Sequence, residues 1–240
     1  MAPAGDTAAR PMRRPSFDPE AMPLDPAFAD PAVRGAPIDP QRLTAAAVRA
    51  RFAAPPLWQP EIDTDGRIGL LVAPPRPAAV LVPLVARGDR LTVLLTERTA
   101  HLHDHAGQVS FPGGRMEESD PSPVHTALRE TEEEIGLAPH AVDVIGTLPP
   151  YVVATGYRVT PVVGLIERDV KLSPDEFEVA EVFEVPLAFL MDPANHERRV
   201  VNVGAVARTF YAMPYHSGRR YFIWGATAAM LRNFYHFLRA

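Results

Sequence analysis

The 240-residue sequence has no cysteine, which excludes disulfides, thiolate nucleophiles and zinc–thiolate sites. A reducing cytoplasm is the compartment this composition leads us to expect. Lysine is almost missing too: Lys171 stands alone, so arginine must supply nearly every cationic contact. No apolar run reaches bilayer-spanning length, and none follows Arg10, Arg13 and Arg14 as a secretory signal would require. The terminal Leu238-Arg239-Ala240 is not a peroxisomal address. There is no surplus of positive charge. The formal net charge of -5 argues against a nucleic-acid binder and against a membrane surface as partner. What is present, 47% hydrophobic residues, suffices for one sizeable domain with an extension.

Nine prolines fall within residues 1–40, which read as a poorly ordered arm. Residues 41–75 read as a short helix over 41–53, with Leu43, Val48 and Phe52, and a linker ending near Pro74-Pro75-Arg76-Pro77. Residues 76–240 form the main domain. Its β-branched runs 79–86 and 91–97 flank Arg87-Gly88-Asp89-Arg90 as a hairpin. Strands follow near 142–148, 159–166 and 179–185, then a short helix at 187–191. A second hairpin covers 198–206 and 207–211. An apolar helix over 224–238 closes the chain, with Ala228, Leu231, Phe234 and Leu238 at helical spacing. There is no internal repeat. The sum is an α/β domain, a mixed sheet sandwiched by helices.

The most informative stretch is 113–137. Ser122 suits a helix N-cap, Pro123 the first helical position and Gly136 the stop. At about 100° per residue, Val124, Leu128, Thr131 and Ile135 make the buried stripe. Glu130, Glu133 and Glu134 share a separate arc, while Glu132 points elsewhere. Such like charges destabilise a helix by about 0.2–0.5 kcal/mol per pair. They also lie in the final turns, where the macrodipole disfavours negative charge. Only Arg129 is close enough in sequence to offset them. A hard divalent cation would reverse both penalties. A solvated acidic face is the simpler alternative for an arbitrary acidic run.

The surrounding pattern resembles a known family. Gly114, five residues, Asp120, eight residues, then Arg129-Glu130-Thr131-x-Glu133-Glu134-x-Gly136-Leu137 is similar to the Nudix box. Asp120 replaces a glutamate, Thr131 an aliphatic residue, and one extra residue precedes Arg129. The preceding Leu94-Leu95-Thr96-Glu97-Arg98-Thr99 and Gly107-Gln108-Val109-Ser110-Phe111-Pro112-Gly113-Gly114 resemble the coenzyme A pyrophosphatase branch of that family. Further likeness runs through 156–164, 181–187 and 223–228.

This resemblance implies a Nudix α/β/α sandwich and a metal-dependent pyrophosphate hydrolase using Mg2+ or Mn2+. Glu130 and Glu134 would be the main metal ligands and Glu133 a third ligand with a catalytic part. Arg129 would orient these carboxylates, and the Gly113 or Gly114 carbonyl would add an oxygen. The general base stays open between a box glutamate and Glu176, Glu178 or Glu181. Arg98 and Arg115 are candidates for substrate phosphate contact, with surface ion pairs as the alternative. Gly113 and Gly114 belong to the substrate-binding turn. Among His101, His103 and His105, only His105 falls in the family pattern. Tyr151, Tyr157 and Trp224 could stack on a base or simply fill the core. The small-molecule substrate implied is coenzyme A or a thioester, cut to 3′,5′-ADP and 4′-phosphopantetheine or its acyl form. Alternatives are ADP-ribose, a dinucleotide, a damaged nucleoside triphosphate, or a non-catalytic binding module. The sequence leaves a homodimer open.

Overall fold

The expected hairpin forms between β1 (Arg76–Arg87) and β2 (Arg90–Arg98), with Arg87 opposite Arg90. The computed structural model describes residues 18–65, 73–100, 107–167, 169–203 and 206–240. Further along, the two hairpin strands take different partners. β3 (Val109–Ser110) pairs with β2 at Thr96 and Glu97, while β4 (Gly113–Arg115) pairs with β1 from Ala78 to Val80. The 109–115 segment thus crosses from one strand to the other and carries the two glycines with it. β1 also runs parallel to β7 (Tyr157–Ile166), which is flanked by antiparallel β5 (Asp143–Thr147) and β6 (Tyr151–Val153). β8 (Val179–Pro186) completes this mixed sheet against β2.

Helices cover both faces of the sheet, so its central strands read as nearly continuous apolar runs rather than alternating ones. Leu81, Val85, Leu94, Val162 and Ile166 bury one face against the helix that holds the glutamates. Leu84, Val93, Leu95, Val163 and Leu165 bury the other in the larger core, which includes Leu231, Phe234 and Phe237 of the closing helix. The fold is therefore the α/β sandwich expected. No helix among the described residues is long and apolar enough to cross a membrane.

Three expectations change. Residues 18–40 are not a poorly packed arm. Four of their six prolines follow aspartates, and Asp18, Asp25, Asp30 and Asp39 each accept the N–H two residues on, at 2.9–3.0 Å. Each Asp-Pro pair thereby caps a short turn, one of them the single-turn helix α1 (Pro31–Arg34). Phe28 is buried, edge-on to Tyr211 at 5.4 Å. The expected helix follows as α2 (Ala45–Ala53), capped by Thr44. The second hairpin is really a three-stranded sheet. β9 (Glu197–Val203) pairs with β10 (Val206–Ser217), which continues past the expected end and turns at Gly218 into β11 (Arg219–Trp224). Apolar and charged residues are mixed along β11, so it offers no clean alternation. Third, β3, β4 and β6 are too short, at two or three residues, to leave a periodic signal. The short helix α4 (Leu187–Leu190) and α5 (Gly225–Arg239) fall where expected.

A buried polar cluster joins the amino-terminal segment to α5. Arg232, 1% exposed, donates to Glu61 at 2.8 Å, to the Arg34 carbonyl at 2.8 Å and to His196 Nδ1 at 3.1 Å. Arginine cannot accept a proton here, so His196 must carry its own on Nε2, which donates to the Leu190 carbonyl at 2.7 Å. Burial, aided by the Arg232 charge, lowers the His196 pKa to about 4. The unfolded chain protonates this imidazole near its ordinary value of about 6.5, whereas the folded protein resists. Its contribution is therefore complete above about pH 6.5 and falls away as pH drops toward 4. We expect a His196→Gln variant to flatten the pH dependence of the thermal midpoint in that window. An unchanged slope would sink the assignment.

Candidate active site

The helix α3 (Pro123–Ile135) begins and ends where its sequence directs. Ser122 accepts the His125 N–H at 3.2 Å, and Gly136 adopts the left-handed conformation at φ 69° that ends the helix. The loop beyond then turns back. Ser173 N–H donates to the Ile135 carbonyl at 2.8 Å, and Asp175 N–H to the Glu134 carbonyl at 2.9 Å. Two C-terminal carbonyls that a helix leaves unmatched are satisfied in this way. Ala127, Thr131 and Ile135 are fully buried, with Val124 and Leu128 half-buried beside them.

Asp120, the residue that departs from the box, anchors the loop before the helix. Its carboxylate is buried and accepts two N–H bonds from Arg129, at 3.1 and 3.0 Å. It also accepts from Glu117 N–H and the Thr126 hydroxyl, and pairs with His125, all at 3.0 Å. Arg129 beside it outweighs burial and holds Asp120 far below the ordinary carboxylate range. Arg129 then reaches Glu130 and Glu133, each at 2.9 Å, and the Arg115 carbonyl at 3.3 Å. Its guanidinium is spread over three carboxylates and a carbonyl.

Glu130 and Glu134, one turn apart, face the β4 turn. Gly113 N–H donates to Glu134 at 3.1 Å. Glu130 lies so close to Gly114 that a Cβ there would sit 2.5 Å from the Glu130 carboxyl carbon. Both carboxylates are held above their ordinary range. Burial pushes Glu134 up to about 7, assisted by the charges of Glu178 and Glu130 and opposed by Gly113 N–H and Arg98. Burial, together with Glu133 and Glu117, also raises Glu130 against the pull of Arg129. Anions this poorly compensated call for positive charge.

Among the described residues, no three Asp, Glu or His side chains stand together as a preformed cation site. The donors that fit a hard divalent ion are Glu130 and Glu134, whose carboxylates stay raised by burial even with Arg129 beside one and Arg98 facing the other. Glu133 would reach such an ion only by releasing its contact with Arg129. It is 60% exposed and turned to Arg129.

The remaining sequence candidates divide. Arg98 faces Glu134, with Nη1 at 3.8 Å from its carboxylate. Arg115 is exposed on the groove that Arg76 and Glu117 also line. Of the three carboxylates left open as general base, Glu176 is exposed, Glu178 acts on Glu134 by charge, and Glu181, on β8, is tied to Arg219 and Tyr221. Thr99 holds the Glu178 loop in place, its hydroxyl donating to the Phe177 carbonyl at 2.8 Å and its N–H to the Glu178 carbonyl at 3.0 Å. Tyr151 is core, Tyr157 lies beneath Arg76 at 4.6 Å, and Trp224 sits edge-on to Phe210 at 5.7 Å. His101, His103 and His105 lie outside the described residues.

The two glycines should respond differently to alanine. Gly113 has φ 146°, and a Cβ there would come 2.5 Å from the Val80 Cα in the neighbouring strand, which cannot yield cheaply. Gly113→Ala should cost stability, on the order of 2 kcal/mol or more. At Gly114 the obstacle is a movable carboxylate, so Gly114→Ala should displace Glu130 and lose turnover with little change in melting temperature. Equal melting losses for both variants would refute this reading.

Comparison with known proteins bears on the same residues. The NUDIX domain family model matches residues 74–202, more than half of the chain. The chain belongs to the Nudix family. A Nudix hydrolase from Escherichia coli O7:K1 named NudL, itself uncharacterized, is 46% identical over 159 residues, covering 66% of this chain and 80% of NudL. NudL from Shigella boydii serotype 18 is 45% identical over the same length. Among solved structures, the Nudix hydrolase RenU from M. smegmatis matches 48% of this chain and 73% of its own, at 24% identity and TM-score 0.41. The Nudix domain of Shewanella oneidensis NrtR, solved with ADP ribose, matches 58% of this chain and 83% of its own, at 22% identity and TM-score 0.38. As a Nudix hydrolase the protein acts on the pyrophosphate bond of a nucleoside diphosphate derivative. Nudix hydrolases generally use divalent metal ions such as Mg2+ or Mn2+.

Proposed function

We propose that this Nudix hydrolase cleaves coenzyme A or an acyl-coenzyme A to 3′,5′-ADP and 4′-phosphopantetheine or its acyl derivative. The observation that carries this is the run 94–114, whose Arg98 faces Glu134 while its Gly113 N–H binds the same carboxylate. These two contacts between the motif and the carboxylate helix support the reading.

In this reading Glu130 and Glu134 hold Mg2+ or Mn2+, which neutralises phosphate charge and activates water when bound. Glu133 joins them by releasing Arg129, a surface contact of small net worth. Arg129 keeps Glu130 oriented, and Asp120 keeps Arg129 oriented. Arg98 and Arg115 contact phosphate oxygens, flanking the Gly113-Gly114 turn that lets the substrate approach the backbone. Water forms the new bond to one phosphorus, the bond from that phosphorus to the bridging oxygen breaks, and the electron pair leaves with the other phosphate. Glu178 takes the water proton. These residues contribute placement and charge, which carry most of the rate enhancement in phosphoryl chemistry.

The test is purified protein with Mg2+ or Mn2+, given coenzyme A, acetyl-coenzyme A, ADP-ribose and nucleoside triphosphates. Release of phosphopantetheine in preference to every other product is the expected result. Selective cleavage of ADP-ribose or a triphosphate would replace the substrate assignment, and turnover of none would favour a binding module.

A further inference from the structure

The family model ends at residue 202 and begins at 74, yet the chain on either side of it meets the Nudix domain in a cleft. One wall is Glu97 of β2 with Gln108, beside β3. The opposite wall is β11, with Arg219, Arg220 and Tyr221, and Glu20 of the amino-terminal segment closes the rim. Glu97 immediately precedes Arg98, the residue that faces Glu134. Consecutive side chains of a strand point to opposite faces, so Glu97 lines the cleft on one face of the sheet while Arg98 meets Glu134 on the other.

The two arginines of this cleft are committed differently. Arg219 pairs with both Glu97 and Glu181 and lies over the Tyr221 ring, 4.3 Å from its centroid. Tyr221 in turn stacks on Phe183 at 3.9 Å. Arg219 is thus neutralised and helps hold an aromatic wall. Arg220 pairs with one carboxylate, Glu20, and both partners remain about half exposed. The Glu20 backbone is fixed independently, because Arg199 donates to the Glu20 and Met22 carbonyls at 2.6 and 2.7 Å. The Glu20 side chain can therefore swing away without undocking its segment. Exposed pairs of this kind hold weakly, whereas a phosphate dianion offers arginine more charge and two parallel acceptors.

We infer that this cleft is a second phosphate subsite, with Arg220 as its cation and Glu20 as a resident anion that the phosphate displaces. The inference rests on the coenzyme A reading, since a nucleotide carrying a phosphate away from the scissile pyrophosphate supplies the group needed.

Calorimetric binding of adenosine 3′,5′-bisphosphate and adenosine 5′-monophosphate tests it directly. The wild type should bind the bisphosphate about tenfold more tightly, Arg220→Ala should abolish that preference, and Glu20→Gln should enlarge it. In turnover, Arg220→Ala should raise KM for coenzyme A while leaving kcat, and both constants for 3′-dephospho-coenzyme A, unchanged. Equal wild-type affinities, or a preference that survives Arg220→Ala, would overturn the subsite. Absence of coenzyme A cleavage with the preference intact would overturn the substrate assignment and leave the subsite standing. Arg220 is a half-exposed surface residue, and an unchanged melting temperature confirms that its variant is folded.

Discussion

Glu134→Gln should reduce turnover at least about 100-fold while leaving the protein folded and, without metal, more stable than the wild type. Both halves follow from one fact. The carboxylate is buried, and burial lifts its pKa to about 7. A carboxyl group raised above its unfolded value makes the fold less stable as pH climbs from the unfolded pKa toward the folded one. Above about pH 7 the metal-free wild type therefore carries the whole penalty, on the order of 3 kcal/mol, and glutamine removes it. Glutamine also keeps the shape and an oxygen able to accept the Gly113 N–H. What it loses is the charge a divalent ion needs. Melting curves at pH 8 with and without MgCl2 separate these effects. Mg2+ should raise the midpoint of the wild type and do little for the variant. Full turnover by Glu134→Gln would remove this residue from the site, and an equal metal-induced shift would remove it from the ligands.

The second large effect is structural. Arg232→Met should lower stability by about 3–5 kcal/mol, the usual cost of stripping one partner from a buried ion pair. In a protein this size that is a fall in melting temperature on the order of 10 °C. Methionine fills much of the volume but leaves Glu61, the Arg34 carbonyl and His196 Nδ1 without their donor. Burial favours protonating Glu61, yet His236, Tyr211 and Arg232 together hold it down at about 2, so losing Arg232 unbalances a strained account. Three aromatic rings, of Phe28, Tyr211 and Tyr235, also lose the guanidinium they pack around, at 4.9–5.5 Å. Arg232→Lys keeps the charge without the fork and should fall between the two. Limited proteolysis should show the amino-terminal segment released first in Arg232→Met, because Phe28 and the Arg34 carbonyl are its links to this cluster. A midpoint within about 2 °C of wild type would show that the segment is held by other contacts.

Legibility from the sequence varied with the range of the contact involved. Helix α3 was fully readable, since its cap, its first proline, its stop and its glutamate spacing all act within a few residues. The burial of Glu134 was not, because helical spacing set it on the acidic arc with Glu130 and Glu133. The amino-terminal segment misled because proline-rich composition describes a lack of regular structure, not a lack of packing. Its Asp-Pro caps were local signals, but the pocket that receives Phe28 comes from residues 170 or more positions away.

The chain by itself therefore determined the helix that bears the glutamates, the hairpin, the family and the class of bond attacked, because those depend on local spacing and short motifs. Tertiary structure alone decided how the charges are used. It turned Glu133 outward and buried Glu134, made Asp120 the anchor of Arg129, and tied Glu181 away while leaving Glu178 to act on Glu134. It also brought Glu20 to Arg220 across 200 residues of chain. Burial and charge pairing set the chemistry of a carboxylate, and both are properties of neighbours that sequence distance conceals.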